Sequence, residues 1–124
     1  MYATGIDLVE VGRIKKIYER YGERFLHKVF TEREINYAFS GREPFGRLAA
    51  RFAAKEAVAK ALGCGLGKVS FKDIEVLSRQ GTSPEVVLHG HAAKIFREKG
   101  FTGKSLSLSH EKKVAVAICV MWRG

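Results

Sequence analysis

The spacing of apolar and polar residues changes period several times along the chain, and each change marks an element. Tyr2 to Val11 alternates with β-branched residues and carries Gly5 inside it, which predicts a strand whose backbone is approached closely at the glycine. From Gly12 the period becomes helical. Ile14, Ile17, Tyr18 and Tyr21 fall on one side, and Arg13, Lys16 and Arg20 form a basic stripe on another. Phe30-Thr31-Glu32-Arg33-Glu34-Ile35 reads as a second helix start: Thr31 caps the Glu34 amide, Glu34 reaches back, and Phe30 staples to Ile35. That capping role makes Glu34 structural. After Ser40-Gly41-Arg42-Glu43-Pro44, proline suits a first helical turn, and a helix rich in alanine and straight-chain residues runs to Leu62 and ends at Gly63.

Beyond the glycine loop, Val69 to Ser78 alternates and Pro84 to His89 is a second β run. The turn-rich Arg79-Gln80-Gly81-Thr82-Ser83 joins them into a predicted hairpin. His91 to Lys99 is a short amphipathic helix ended by Gly100. Ser105 to His110 and Val114 to Trp122 are the last two strands, linked by Glu111-Lys112-Lys113. The final strand is apolar at nearly every position, which places it mid-sheet with both faces covered. The order strand, three helices, hairpin, helix, hairpin defines an α+β fold. An antiparallel sheet packs on the long central helix, and a single domain spans residues 1–124.

Charge narrows the partners. Lys and Arg number 22 against 13 Asp and Glu, a formal net charge of +9, which favours nucleic acid, phosphorylated cofactors, acidic proteins or membrane surfaces. Cys64 and Cys119 are too few for a disulfide scaffold or a cysteine-based zinc site. The opening residues lack the basic and apolar regions of a signal peptide. The longest apolar stretch, Val114 to Trp122, falls short of the ~20 residues that span a bilayer, so a cytoplasmic protein is expected.

The central helix carries the chemistry. Arg51, Lys55, Glu56 and Lys60 stand among alanines small enough to admit a ligand or another backbone, and a carboxylate flanked by cations suits a phosphate-and-metal site. The plainer alternative is that Glu56 and Lys60, four residues apart, form a surface pair contributing about 0.2–0.5 kcal/mol. Asp7, an acid in an apolar strand, needs pairing or a metal, or else caps the following helix. Gly63-Cys64-Gly65-Leu66-Gly67-Lys68 is not a Walker A loop, because Leu62 and Val69 stand where that motif needs a glycine and a hydroxyl residue. His89-Gly90-His91 has a metal-compatible spacing but reads better as a strand-to-helix boundary. A basic nucleic-acid-binding domain would account for the charge, yet leaves Asp7 and Glu56 unexplained. A magnesium-dependent nucleotide hydrolase would use the same two carboxylates.

Arg51-Phe52-Ala53-Ala54-Lys55-Glu56-Ala57 resembles the central signature of the holo-(acyl-carrier-protein) synthases, the small 4'-phosphopantetheinyl transferases. Gly5-Ile6-Asp7-Leu8-Val9-Glu10-Val11 with Arg13-Ile14 is similar to that family's N-terminal motif, and Ser107-Leu108-Ser109-His110-Glu111 to its C-terminal Ser-His motif. The resemblance implies the 4'-phosphopantetheinyl transferase fold and, at this length, a homotrimer with active sites between protomers. The implied reaction moves 4'-phosphopantetheine from coenzyme A to a serine of apo acyl carrier protein in fatty acid biosynthesis and releases adenosine 3',5'-bisphosphate. It implies magnesium held by Asp7 and Glu56, Lys60 on the pyrophosphate, and Arg51, Lys55 and His110 on the remaining phosphates. The glycine loop at Gly63 and Gly65 then allows close approach by the nucleotide. Either Glu56 or a metal-bound water deprotonates the serine. His110 could instead be a core histidine bonded to backbone. The first helix, with Arg13, Lys16 and Arg20, is where the family docks the acidic carrier protein, so neither nucleic acid nor membrane is an expected partner.

Overall fold

A computed structural model describes residues 1–78 and 83–124. The first strand, β1 (Tyr2–Glu10), leads directly into α1 (Val11–Tyr21), and α2 (Glu23–Val29) follows at once. Gly22, with φ 59°, takes the left-handed turn between the two helices. The sequence reading had three helices before the hairpin, and the chain has four. The apolar Phe25, Leu26 and Val29 of α2 are buried by tertiary packing, a signal too short to stand out as a separate period.

Helix α3 (Glu32–Phe39) opens on the expected capping box. Thr31 Oγ1 accepts from the Glu34 amide at 3.3 Å, and Glu34 Oε1 accepts from the Thr31 amide at 2.8 Å. The central helix α4 (Pro44–Leu62) starts with Glu43 accepting from the Phe45 amide at 2.7 Å and stops at Gly63, whose φ of 79° closes the last turn. The predicted strand from Val69 to Ser78 is shorter than expected. Phe71–Asp73 is a 3₁₀ turn, started by the Ser70 amide donating to Asp73 Oδ2, and only β2 (Ile74–Leu77) is extended. It pairs antiparallel with β3 (Glu85–Leu88), as the hairpin reading required; residues 79–82 of the connecting turn lie outside the described residues. Then come α5 (Gly90–Glu98), β4 (Gly103–His110) and β5 (Val114–Trp122).

Among the described residues the strands form two antiparallel sheets. β1, β5 and β4 form a three-stranded antiparallel sheet in that order, and β2 and β3 form a ribbon of their own. The central place predicted for β5 holds. Its second covered face does not: alternate residues from Ala115 to Met121 are buried against α4, whereas the outward row keeps Ile118 42% exposed. The same outward row of β1 leaves Ile6 60% and Leu8 62% exposed, side by side with Ile118 and Val116 in the register. The sheet therefore presents an apolar face that the single chain does not bury.

The core lies between the inner sheet face and α4, and glycine lets the two meet. A Cβ on Gly5 would lie 1.9 Å from the Ala57 carbonyl oxygen, so only a glycine allows β1 to rest on the helix backbone there. Beneath α4, Glu34 and Lys55 form a fully buried ion pair at 2.8 Å, and Glu34 Oε2 also accepts from the Val76 amide at 2.8 Å. This ties α3, α4 and β2 together. Nearby, buried Glu75 accepts from Thr31 Oγ1 at 2.6 Å and from the Arg33 guanidinium at 2.7 Å, and meets His89 Nε2 at 3.0 Å. His89 is the residue capping α5, so the strand-to-helix reading of His89-Gly90-His91 stands.

Candidate active site

Between Leu48 and Leu62, every residue of α4 is buried except Glu56 and Lys60. They lie one turn apart on the same side of the helix, and that side faces the inward-pointing Asp7 of β1. Gly5 lies two residues before Asp7 on the same strand face, so its close packing on Ala57 also brings Asp7 down to the helix. Lys60 Nζ lies 3.2 Å from Asp7 Oδ1 and donates to the Ile6 carbonyl oxygen at 2.9 Å. Lys60 is thus paired across to β1 and not with Glu56 along its own helix, which displaces the surface-pair alternative. Asp7 caps nothing: α1 begins after Glu10 with no side-chain cap.

Glu56 titrates high. Burial pushes its carboxyl up, the negative charge of Asp7 adds to the rise, and Lys60 and Arg13 pull it part of the way back. Two carboxylates close enough for the charge of Asp7 to act on Glu56, with cations beside them, are a donor set suited to a hard divalent cation and phosphate oxygens. Among the described residues no group of three or more His, Cys, Asp or Glu side chains forms a metal cluster. Magnesium does not need one, since it keeps several waters and is commonly held by one or two carboxylates plus substrate phosphates. Asp7 and Glu56 fit that ion.

The remaining predicted ligands separate into two groups. Lys55 lies inside the protein: its ammonium is completely buried and donates to Glu34, to the Phe71 carbonyl oxygen at 2.9 Å and to the Ile74 carbonyl oxygen, so all three N–H bonds are used by protein acceptors. Arg51 is 2% exposed, stacked on the Tyr37 ring and donating to the Arg47 carbonyl oxygen and Ser78 Oγ. As it lies, it offers no face to a dissolved ligand. Both residues occupy helix positions that the sequence pattern cannot tell from Glu56 and Lys60 by composition alone. Gly63 and Gly65 are exposed past the end of α4; Gly63 is required by its left-handed backbone, whereas space around Gly65 is open.

His110 is exposed, not a core histidine, and closes β4 on the inner row shared with Ala115 and Val9. It lies on the opposite edge of the sheet from Asp7, with β5 between and two residues out of register with it, about two strand spacings (roughly 9–10 Å) across the sheet and roughly 7 Å along it. One chain does not gather Asp7 and His110 into one cluster. Arg13, Lys16 and Arg20 are exposed along α1, and Arg13 is near enough to Glu56 to lower its pKa, so the basic face runs up to the carboxylates. The sequence reading missed a cavity of about 510 Å³ beside this face. Its walls include Ile17, Tyr21, Phe25 and Phe52, with Arg24 and Lys28 exposed at the same place. The helical period places Ile17 and Tyr21 only on the apolar side of α1; the other walls come from α2, α4 and the 3₁₀ turn, which no local period could bring together.

This chain belongs to the 4'-phosphopantetheinyl transferase superfamily, whose family model matches residues 3–119. Within it, the chain is 73% identical to the holo-[acyl-carrier-protein] synthase of Carboxydothermus hydrogenoformans over 124 residues, 99% of each chain. It is 53% identical to that of Thermodesulfovibrio yellowstonii over 118 residues, covering 95% of this chain and 96% of the relative. The fold matches the crystal structure of the Neisseria meningitidis holo-[acyl-carrier-protein] synthase with a TM-score of 0.87 at 35% identity, covering 98% of both chains. It matches the Helicobacter pylori synthase in complex with coenzyme A with a TM-score of 0.83 at 29% identity, covering 96% of this chain and 99% of that one.

Proposed function

We propose that this chain transfers 4'-phosphopantetheine from coenzyme A to a serine of apo acyl carrier protein, giving holo acyl carrier protein and adenosine 3',5'-bisphosphate, a step that serves fatty acid biosynthesis in the cytoplasm. One observation carries the reading: the two side chains that α4 leaves unburied over its long core-facing run, Glu56 and Lys60, converge on Asp7. A basic nucleic-acid-binding domain has no use for a raised carboxyl beside a second carboxylate. A nucleotide hydrolase has no use for the basic helix that begins next to them.

Asp7 and Glu56 would hold magnesium, which supplies neutralisation of charge on the pyrophosphate as its bond breaks. The serine hydroxyl attacks the phosphorus bearing pantetheine; an oxygen–phosphorus bond forms to serine, and the bond to the nucleotide phosphate breaks. Glu56, its carboxyl pushed up by burial and by the charge of Asp7, accepts the serine proton. Lys60, already turned toward Asp7, places its ammonium on the leaving phosphate. His110 and the loop at Gly63 and Gly65 bind the rest of coenzyme A. Arg13, Lys16 and Arg20 receive the acidic carrier protein, and the cavity walled by Ile17, Tyr21 and Phe25 accepts one of its apolar side chains.

The working unit is a homotrimer with an active site at each subunit boundary. Two features support it: the uncovered apolar sheet face of Ile6, Leu8 and Ile118, and the placement of Asp7 and His110 on opposite sheet edges, where the β1 edge of one copy can complete the β4 edge of another. The test is the intact mass of apo acyl carrier protein after incubation with coenzyme A, magnesium and this protein. A gain of one phosphopantetheinyl group is expected, and Asp7→Asn and Glu56→Gln each abolish it. An unmodified carrier protein with the native chain, or normal turnover in either variant at saturating magnesium, overturns the reading.

A further inference from the structure

Gly46 sits in the first turn of α4 with ordinary negative φ, so its backbone does not call for glycine, and glycine is a poor helix former. The space around it does call for glycine. A Cβ at this position would lie 2.6 Å from Cδ2 and 2.8 Å from Nε2 of His110. The imidazole therefore rests with one edge on the bare Cα of Gly46, and the opposite edge, carrying Nδ1, points away from the helix. Among the described residues, neither ring nitrogen has a hydrogen-bond or ion-pair partner that would otherwise fix the ring. His110 also stands at the end of an edge strand with an exposed side chain, where its rotamer is not fixed by core packing.

We propose that Gly46 is a positioning residue for coenzyme A: the missing side chain is the seat that holds the His110 imidazole, with its free edge turned outward to the nucleotide. This rests on the reading that His110 contacts coenzyme A. The atoms a new Cβ would meet belong to the exposed end of a flexible side chain, so a methyl group at position 46 moves the ring and spares the fold. The ring then loses its preset orientation, and each binding event has to restore it.

The experiment measures coenzyme A affinity by calorimetry for the native protein, Gly46→Ala, His110→Ala and the double variant. Thermal midpoints are measured alongside, together with the Michaelis constants for both substrates. Gly46→Ala is expected to weaken coenzyme A binding by about tenfold, the scale of one hydrogen bond to a charged group, with the thermal midpoint unchanged or raised and the Michaelis constant for carrier protein unchanged. His110→Ala is expected to weaken it comparably, and the double variant no further, because removing the ring removes what the methyl group displaces. The double variant also keeps the test sound should Gly46→Ala fold poorly, since without the imidazole the methyl group has room. Native affinity in Gly46→Ala beside a weakened His110→Ala overturns the seat and leaves the His110 reading standing. Native affinity in His110→Ala overturns both, and losses that multiply in the double variant overturn action through His110.

Discussion

Lys55→Met separates a buried anchor from a phosphate ligand, the role that the signature motif suggested for Lys55. Methionine keeps the length and apolar stem of the side chain and deletes the ammonium. The Glu34 carboxylate then stays fully buried without its partner at 2.8 Å, and the Phe71 and Ile74 carbonyl oxygens lose their donor. Removing one partner of a buried pair costs about 3–5 kcal/mol, and the two orphaned carbonyls place this case toward the upper end. For a chain of this size each kcal/mol moves the thermal midpoint by roughly 3–6 °C, so a fall on the order of 15–30 °C is expected. The assay is thermal and urea unfolding followed by far-ultraviolet circular dichroism, with coenzyme A titrated into whatever fraction remains folded. Adding Glu34→Gln to Lys55→Met should recover part of the loss, since the glutamine leaves no uncompensated charge. A stability change below about 0.5 kcal/mol, the scale of an ordinary surface substitution, together with lost coenzyme A affinity, would show that Lys55 serves a ligand and refute the structural role.

Three further outcomes follow from the same geometry. Burial alone would push Glu75 up, but hydrogen bonds from Arg33, Thr31 and His89 and the Arg33 charge hold it at about 2 against an ordinary 4.5. A carboxyl depressed in the folded state stabilises above its unfolded pKa, so on the order of 3 kcal/mol should disappear as pH falls from about 4.5 toward 2, and Glu75→Gln should flatten that part of a stability-versus-pH curve. Reversing Arg13 and Arg20 to glutamate should weaken carrier-protein association by about 1–3 kcal/mol while leaving coenzyme A binding nearly intact, and native affinity for carrier protein should fall with ionic strength; saturation curves for each substrate at low and high salt check both. Under the proposed trimeric assembly, Ile118→Lys, on the uncovered sheet face, should shift sedimentation from trimer to monomer and remove activity together with the assembly; a fully active monomer would detach the site from the interface.

Much of this could be read from the chain because the relevant signals are local. The capping box at Thr31 and Glu34, the proline and glycine bounding α4, and the β5 run each carry their structural meaning within a few residues. What could not be read is non-local. Glu56 and Lys55 are neighbours in a motif of alternating charge, and only the positions of α3 and β2 decide that one faces Asp7 while the other is sealed against Glu34. Glu34 itself shows the limit: its cap was legible, its ion pair was not. Helix α2 escaped because seven residues hold less than two full periods, and the cavity beside α1 escaped because its walls come from four elements. Gly5 was legible as a point of close approach, but not what approached it.

Seven of the buried positions between Leu48 and Leu62 are alanine, and alanine has no side-chain rotamers to lose or exchange. Where Gly5 meets Ala57, the ground beneath Glu56 and Lys60 is therefore backbone against backbone, with little that can repack to absorb a change in shape. Directed evolution toward other carrier proteins should accordingly leave α4 untouched and accumulate its substitutions on α1, α2 and the cavity between them, where side chains have alternatives.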